Sequence, residues 1–115
     1  MFNIEYYELP DGTKPAKNFI NNLDGKMRVK ALGSIDILAK LGNTLREPYS
    51  KAIGNGLFEL RIKFSSDITR IFYFFYVDNK IVVTNGFIKK TQKTPPNEIK
   101  LAIKYKEDYE RRKKK

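Results

Sequence analysis

The chain has 115 residues, of which 41% are hydrophobic and 31% charged, and it contains neither histidine nor cysteine. One domain with a single hydrophobic core is expected over residues 1–115, and disulfides and thiolate metal sites are excluded. No apolar run approaches the roughly 20 residues that a membrane span needs, and the N-terminus lacks the pattern of a secretory signal. We therefore expect a cytoplasmic protein with no membrane partner.

The formal net charge is +10, and most of the excess lies in the second half of the chain. Residues 57–115 carry 15 of the 23 basic groups but only 7 of the 13 acidic ones. A positive field of this kind raises encounter rates with nucleic acid and gives an affinity that depends on salt. The alternative is a basic domain whose charge serves only to keep it in solution.

The first half of the chain predicts a strand followed by two helices. Residues 2–8 alternate weakly in hydrophobicity and are followed by a Pro-Asp-Gly turn, so a strand is expected there. Apolar residues recur at helical spacing over residues 14–23 and again over residues 26–41. A Gly-Asn pair at 42–43 is a stop signal for the second helix.

The second half predicts three strands and a final helix. Residues 58–64 alternate between apolar and charged side chains, which is typical of a half-buried strand. Short turns lead to further strands over residues 68–77 and 81–88. A Thr-Pro-Pro segment at 94–96 then begins a helix that continues toward the basic C-terminus. The order βααβββα indicates an α+β fold in which the helices pack on one face of an antiparallel meander.

Two arginines in the aromatic-rich strands are the first candidates for a functional site. Arg61 and Arg70 lie on neighbouring strands of the predicted hairpin, and a turn centred near residue 66 pairs Arg61 with about position 71. If the register shifts by one residue, both guanidinium groups share a face and can bind one phosphate in fork geometry. The alternative is a pair of surface arginines that form ion pairs with Glu59 or Asp67.

Lysines crowd the end of the last predicted strand, at Lys89, Lys90 and Lys93. Like charges at close range disfavour the protonated form and lower the pKa of a lysine. A lysine with a lowered pKa can transfer a proton, and one with its ordinary pKa can stabilise charge on a phosphate. The alternative is a solvated turn.

These residue types suit the cleavage of single-stranded RNA, in which the ribose 2′-hydroxyl attacks the adjacent phosphate. The protein then needs to orient the strand, neutralise charge and move protons, and no metal or other cofactor is expected. Phosphates favour guanidinium and ammonium groups, and unstacked bases favour aromatic surfaces. Most of the aromatic run 73–76 should pack in the core, which leaves one tyrosine to stack a base. The candidate RNA contacts are Lys63, Tyr73, Gln92 and Lys93.

Three segments of the chain resemble the HigB-like branch of the RelE/ParE superfamily, also described as phage-derived Gp49-like proteins. They are residues 56–61 (Gly-Leu-Phe-Glu-Leu-Arg), 70–74 (Arg-Ile-Phe-Tyr-Phe) and 86–95 (Gly-Phe-Ile-Lys-Lys-Thr-Gln-Lys-Thr-Pro). The last segment, placed before a C-terminal helix, is the most specific. The resemblance covers roughly the whole chain and agrees with its size, its basic charge and the predicted order of elements.

The resemblance implies a RelE-like fold and the toxin of a type II toxin–antitoxin module. Such a toxin is a ribosome-dependent endoribonuclease that cleaves messenger RNA and inhibits translation. The implied partners are messenger RNA, the ribosome and a HigA-like helix-turn-helix antitoxin. By position, Arg61 and Arg70 match residues thought to bind the scissile phosphate. Lys89 and Lys90 match the basic pair near the catalytic surface, which completes the candidate catalytic set, and Lys93 would extend the contact with RNA.

The chain departs from this family at one position that matters for chemistry. Many relatives have a histidine before the Gly-Phe pair, where this chain has Asn85. A lysine or tyrosine must then transfer protons, or catalysis depends on charge stabilisation alone. An inactive relative, a basic RNA- or DNA-binding module that cleaves nothing, and a ribosome-associated structural protein are the alternatives.

Overall fold

The computed structural model describes residues 1–89 and 94–114. In chain order its elements are β1 (Asn3–Tyr6), α1 (Pro15–Asn21), α2 (Gly25–Leu41), a short 3₁₀ turn (Gly42–Thr44), β2 (Ser50–Gly54), β3 (Leu57–Phe64), β4 (Asp67–Tyr76), β5 (Lys80–Lys89) and α3 (Pro96–Lys113). Within the described ranges, the helices fall short of the length and apolar character that crossing a membrane requires.

The five strands form one mixed sheet in the order β1-β5-β4-β3-β2. Strands β2 to β5 pair antiparallel in chain order, whereas β1 pairs parallel with β5 at the far edge. The predicted meander is confirmed for β3, β4 and β5. The sheet is not purely antiparallel, however, and it contains an additional strand, β2, between α2 and β3.

Helices cover both faces of the sheet, so the prediction that they pack on one face is wrong. Alternate residues of a strand point to opposite faces. In β4, Ile71 and Tyr73 pack with α1 and α2, whereas Phe72 and Phe74 pack with α3. A strand that is buried on both sides has a near-continuous apolar sequence, as residues 71–75 do. We call the two sides of the sheet the α1/α2 face and the α3 face.

A β-bulge in β5 determines which face its last residues occupy. The register between β4 and β5 shifts just after Val83. Val83 packs on the α1/α2 face, whereas Phe87, an even number of residues further along, packs on the α3 face. The extra residue of the bulge therefore reverses the alternation of side chains. Lys89, two residues beyond Phe87, consequently lies on the α3 face as well.

Helix α3 packs against the segment around β1, so that residues about a hundred positions apart lie together. The Tyr7 hydroxyl donates a hydrogen bond to Asp108 over 2.6 Å. The Tyr109 hydroxyl donates to Glu5 over 3.0 Å. Burial and the bond to Asp108 raise the pKa of Tyr7 to about 12. Both tyrosines are buried, so these bonds lie at the edge of the core beneath α3.

Gly86 allows α1 to lie close to β5. A Cβ atom at this position would be 2.7 Å from Phe19 Cδ2 and 3.0 Å from the backbone oxygen of Arg70. The substitution Gly86→Ala is therefore expected to lower the free energy of unfolding by about 1–3 kcal/mol, because the packed groups must move apart. Urea unfolding followed by circular dichroism measures the difference.

Gly33 provides the matched control for this substitution. It lies on the exposed side of α2, where a Cβ atom would have no neighbour within 4 Å. Gly33→Ala should raise the free energy of unfolding by about 0.5–1 kcal/mol, since alanine favours the helix. Equal effects at the two glycines would contradict the close packing at Gly86.

Candidate functional site

Arg61 and Arg70 are directly opposite one another in the β3–β4 ladder. The turn between these strands has two residues, 65–66, so the register differs by one residue from the predicted pairing of Arg61 with position 71. Directly opposed residues point to the same face, with their Cβ atoms about 4.5–5.5 Å apart. The two guanidinium groups therefore share the α3 face, which is the arrangement that a shared phosphate requires.

Glu59 is the buried counter-charge of this arginine pair. It is only 1% exposed, and its Oε2 atom accepts a hydrogen bond from Arg70 Nη1 over 3.1 Å. The same oxygen lies 3.9 Å from Arg61 Nε. Thr94 donates its hydroxyl hydrogen to Glu59 Oε1 over 3.0 Å. The ion pair with Glu59 that the alternative interpretation expected is present, but Arg70 is a buried residue and not a surface one.

The arginine pair keeps two hydrogen-bond donors without acceptors. Within the described part of the chain, Arg61 Nε and Arg70 Nε are both buried and have no hydrogen-bond partner. Arg70 is 6% exposed, and burial lowers the pKa of its guanidinium, although arginine remains charged in proteins. An unsatisfied buried donor costs about 1–3 kcal/mol, and directly opposed like charges also reduce stability. Such costs are typical of a group arranged for a ligand.

Lys89 brings a third cation to the α3 face near the arginines. It is paired with Ile68 of β4, two residues from Arg70. Desolvation lowers the pKa of Lys89, and the nearby charge of Arg70 lowers it further. The direction is the one that the sequence predicted, but its main cause is burial. Lys51 of β2, opposite Glu59 in the ladder, also lowers this pKa and was missed because β2 was not predicted.

Tyr73 lies on the other face of the sheet from the arginine pair. It is 1% exposed within the core formed with α1 and α2, and its hydroxyl forms a hydrogen bond with Ser50 Oγ. Burial raises the pKa of Tyr73. The structure therefore contradicts a base-stacking role for this residue. The cause is its place in a central strand, where both faces are covered.

The other candidate site residues differ in whether the structure describes them. Lys63 is exposed on β3, two residues beyond Arg61, and so lies on the same face as the arginine pair. Lys90, Gln92 and Lys93 lie outside the described residues. The described part of the site therefore consists of residues from β2, β3, β4 and β5, together with Thr94.

Asn85 replaces the histidine that the family resemblance implies at this position, and its polar atoms make structural contacts. It is 4% exposed, and its Nδ2 atom donates to the backbone oxygen of Glu98 over 3.4 Å. Its Oδ1 atom accepts a hydrogen bond from Thr84 over 2.8 Å. Asn85 thus connects the bulge of β5 to the first turn of α3.

The arrangement is suited to binding a phosphate and to stabilising added charge on it. Two guanidinium groups on one face can bind one phosphate, and charge-assisted bonds of this kind are the strong ones. Donors held in place by packing stabilise charge that develops during a reaction, at little cost in reorganisation. Lys89, with its lowered pKa, is the described group best suited to transfer a proton.

Comparison with known proteins gives one family match. The model of the family described as "Phage derived protein Gp49-like (DUF891)" matches residues 18–107. This range is most of the chain, and it contains Glu59, Arg61, Arg70 and Lys89. No curated protein gives a significant match to the chain.

Proposed function

We propose that the chain, which belongs to the phage-derived Gp49-like family, is the toxin of a type II toxin–antitoxin module. Its activity is ribosome-dependent endonucleolytic cleavage of messenger RNA, which inhibits translation, and it acts in the cytoplasm. The observation that carries the proposal is the directly opposed pair of Arg61 and Arg70, whose buried Nε donors have no acceptor within the described residues. In the proposed complex, a phosphate of the RNA binds this pair of guanidinium groups.

The proposed reaction begins with attack of the ribose 2′-hydroxyl on the adjacent phosphorus. The 2′-hydroxyl proton passes to solvent water, which later returns a proton to Lys89. The O2′–P bond forms as the P–O5′ bond breaks, so negative charge develops on the nonbridging oxygens and on the departing 5′-oxygen. Arg61 and Arg70 stabilise the charge on the nonbridging oxygens. Lys89 gives a proton to the 5′-oxygen, which its lowered pKa favours. The products are a 2′,3′-cyclic phosphate and a 5′-hydroxyl end.

The second candidate function is an RNA-binding protein that does not cleave. It is favoured by one observation: the chain has no histidine, and Asn85 at the corresponding position is occupied by contacts with Thr84 and Glu98. Such a protein would use the same arginine pair to bind phosphate. The two candidates differ in whether messenger RNA acquires new ends.

Induced expression in bacteria, with growth measured and messenger RNA ends mapped by primer extension, tests the proposal. The wild type is expected to stop growth and to produce new ends within translated messages. Arg70→Lys keeps a positive charge beside Glu59 but loses the planar fork, so fewer new ends and weaker growth arrest are expected. Normal growth and intact messages from a folded wild type would contradict the nuclease and favour the binding protein.

The proposed protein partner is a HigA-like helix-turn-helix antitoxin. Coexpression of a neighbouring helix-turn-helix gene should restore growth, and the two proteins should purify together. Restored growth without a complex would contradict direct inhibition by this partner.

A further inference from the structure

An open groove extends from the arginine pair around the edge of β3 to α2. Strand β2 begins at Ser50, and the backbone oxygen of Tyr49 accepts a hydrogen bond from the Arg61 N–H over 2.8 Å. Residues 62–64 of β3 therefore extend beyond the part of the strand that β2 covers. The groove lies at this uncovered edge and has a volume of about 510 Å³. Its walls include Lys30, Ile37, Tyr49, Arg61, Lys63 and Arg70.

The charged residues that line this groove, among those the structure describes, all have one sign. They are four cations, Lys30, Arg61, Lys63 and Arg70, and no carboxylate of the described residues lines the groove. Apolar surface from Ile37, Pro48 and Ile68 lies between the cations. The volume is within the range of about 300–1,000 Å³ that is usual for small-ligand sites. The groove therefore suits a ligand that combines negative charge with a flat apolar part.

Tyr49 gives the groove an exposed aromatic surface beside the phosphate donors. Tyr49 is 62% exposed, whereas Tyr73 is buried. The backbone oxygen of Tyr49 accepts a hydrogen bond from the Arg61 N–H, and Tyr49 lines the same groove as Arg61 and Arg70. A second cavity, of about 460 Å³, shares Ile37, Tyr49 and Arg61 and continues toward the end of α2. Tyr49 thus lies where the two cavities meet.

We propose that Tyr49 is a base-binding residue, on whose ring a nucleobase next to the bound phosphate stacks within this groove. The inference rests on the proposed function, because it requires a phosphate of single-stranded RNA at Arg61 and Arg70. Cations that follow the backbone, together with aromatic rings that stack bases, are the usual means of binding single strands. An acidic protein segment would also meet the cations, but it would make no particular use of an exposed aromatic ring.

Binding of two labelled strands, measured by fluorescence anisotropy, tests the proposal. One is a short RNA, and the other is an abasic ribose-phosphate strand of the same length and charge. The wild type should bind the RNA about fivefold to a hundredfold more tightly, as expected for a stacked base. Tyr49→Ala should remove this preference, and Tyr49→Phe should retain it. The dependence of affinity on salt should stay unchanged in both variants, since no phosphate contact is lost.

The controls separate this inference from the proposed function. Leu32→Ala removes an exposed apolar side chain of α2 that lines neither cavity, and it should keep the wild-type preference. Equal binding of both strands by the wild type, or a preference that survives in folded Tyr49→Ala, would overturn the inference and leave the groove to a ligand such as an acidic protein segment. An unchanged salt dependence in Arg61→Ala would instead contradict the phosphate site, and with it the proposed function.

Discussion

Replacement of Arg61 by alanine is expected to reduce RNA cleavage by about a hundredfold to a thousandfold while the protein stays folded. The Arg61 side chain is 27% exposed and, among the described residues, its ion pair is a long one of 3.9 Å with Glu59, so its removal breaks few contacts in the free protein. The partly exposed guanidinium can bind the RNA phosphate, and this contact strengthens as charge develops. Single-turnover cleavage of messenger RNA on programmed ribosomes measures the effect, and circular dichroism verifies the fold.

Arg28→Ala is the matched control, because it removes the same charge from an exposed position in α2. Its cleavage rate should equal that of the wild type. A similar loss in both variants would show that total charge, and not the site, determines activity. A wild-type rate in Arg61→Ala would contradict the role of the arginine pair in catalysis.

Replacement of Glu59 by glutamine is expected to lower the free energy of unfolding by about 3–5 kcal/mol. The carboxylate is 1% exposed and is bonded to buried Arg70, while Arg61 and Lys89 bring further positive charge to the same face. Without it, the guanidinium of Arg70 remains buried with no counter-charge. Urea unfolding at neutral pH measures the loss. Added inorganic phosphate should recover part of it, because an anion that binds the folded state stabilises that state.

Glu110→Gln is the control for this substitution. Glu110 pairs with Lys106 over 3.0 Å on the outside of α3, where its side chain is 37% exposed. Exposed pairs of this kind contribute about 0–1 kcal/mol, so the loss should be small. If Glu59→Gln lowers the free energy of unfolding no more than Glu110→Gln does, the buried guanidinium of Arg70 does not require the carboxylate as its counter-charge.

The periodicity of the sequence predicted most elements but missed β2. Alternation identified β3, the turns that follow identified β4 and β5, each within a residue or two, and helical spacing identified α2. Ser50–Gly54 is short, shows no alternation and ends in glycine, so it lacked the same signal. The available signal was the Asn55-Gly56 pair, since both residues have positive φ and form a two-residue hairpin loop. The turn alone would have placed Lys51 opposite Leu60, and the bulge between Ala52 and Gly54 moves it opposite Glu59.

The face of the sheet that a strand residue occupies could be predicted only where the turn lengths and the bulges were known. The two-residue turn after β3 makes Arg61 and Arg70 direct partners, whereas a turn centred on residue 66 pairs Arg61 with position 71. The bulge in β5, which brings Lys89 to the α3 face, has no obvious sign in the sequence. The apolar run in β4 is typical of a strand covered on both sides, but it was interpreted as a strand covered on one face, which left Tyr73 as a candidate for base stacking.

The contact of Thr94 with Glu59 lay beyond prediction from sequence for a different reason. The two residues are 35 positions apart and belong to no common periodic pattern. Their meeting depends on how α3 lies against the sheet, which is set by the packing of residues such as Phe74 and Ala102. Local propensities carry no information on such a contact.

The side-chain hydrogen bonds between the region of β1 and α3 also affect when, during synthesis, this part of the fold can form. Tyr7 and Asp108 are 101 positions apart, and Glu5 and Tyr109 are 104 apart. Contacts between distant positions form late, because a long loop must close first. Residues 5 and 7 leave the ribosome about a hundred residues before their partners do. The growing chain therefore lacks these contacts until residues 108 and 109 have emerged, and this part of the fold forms late in its synthesis.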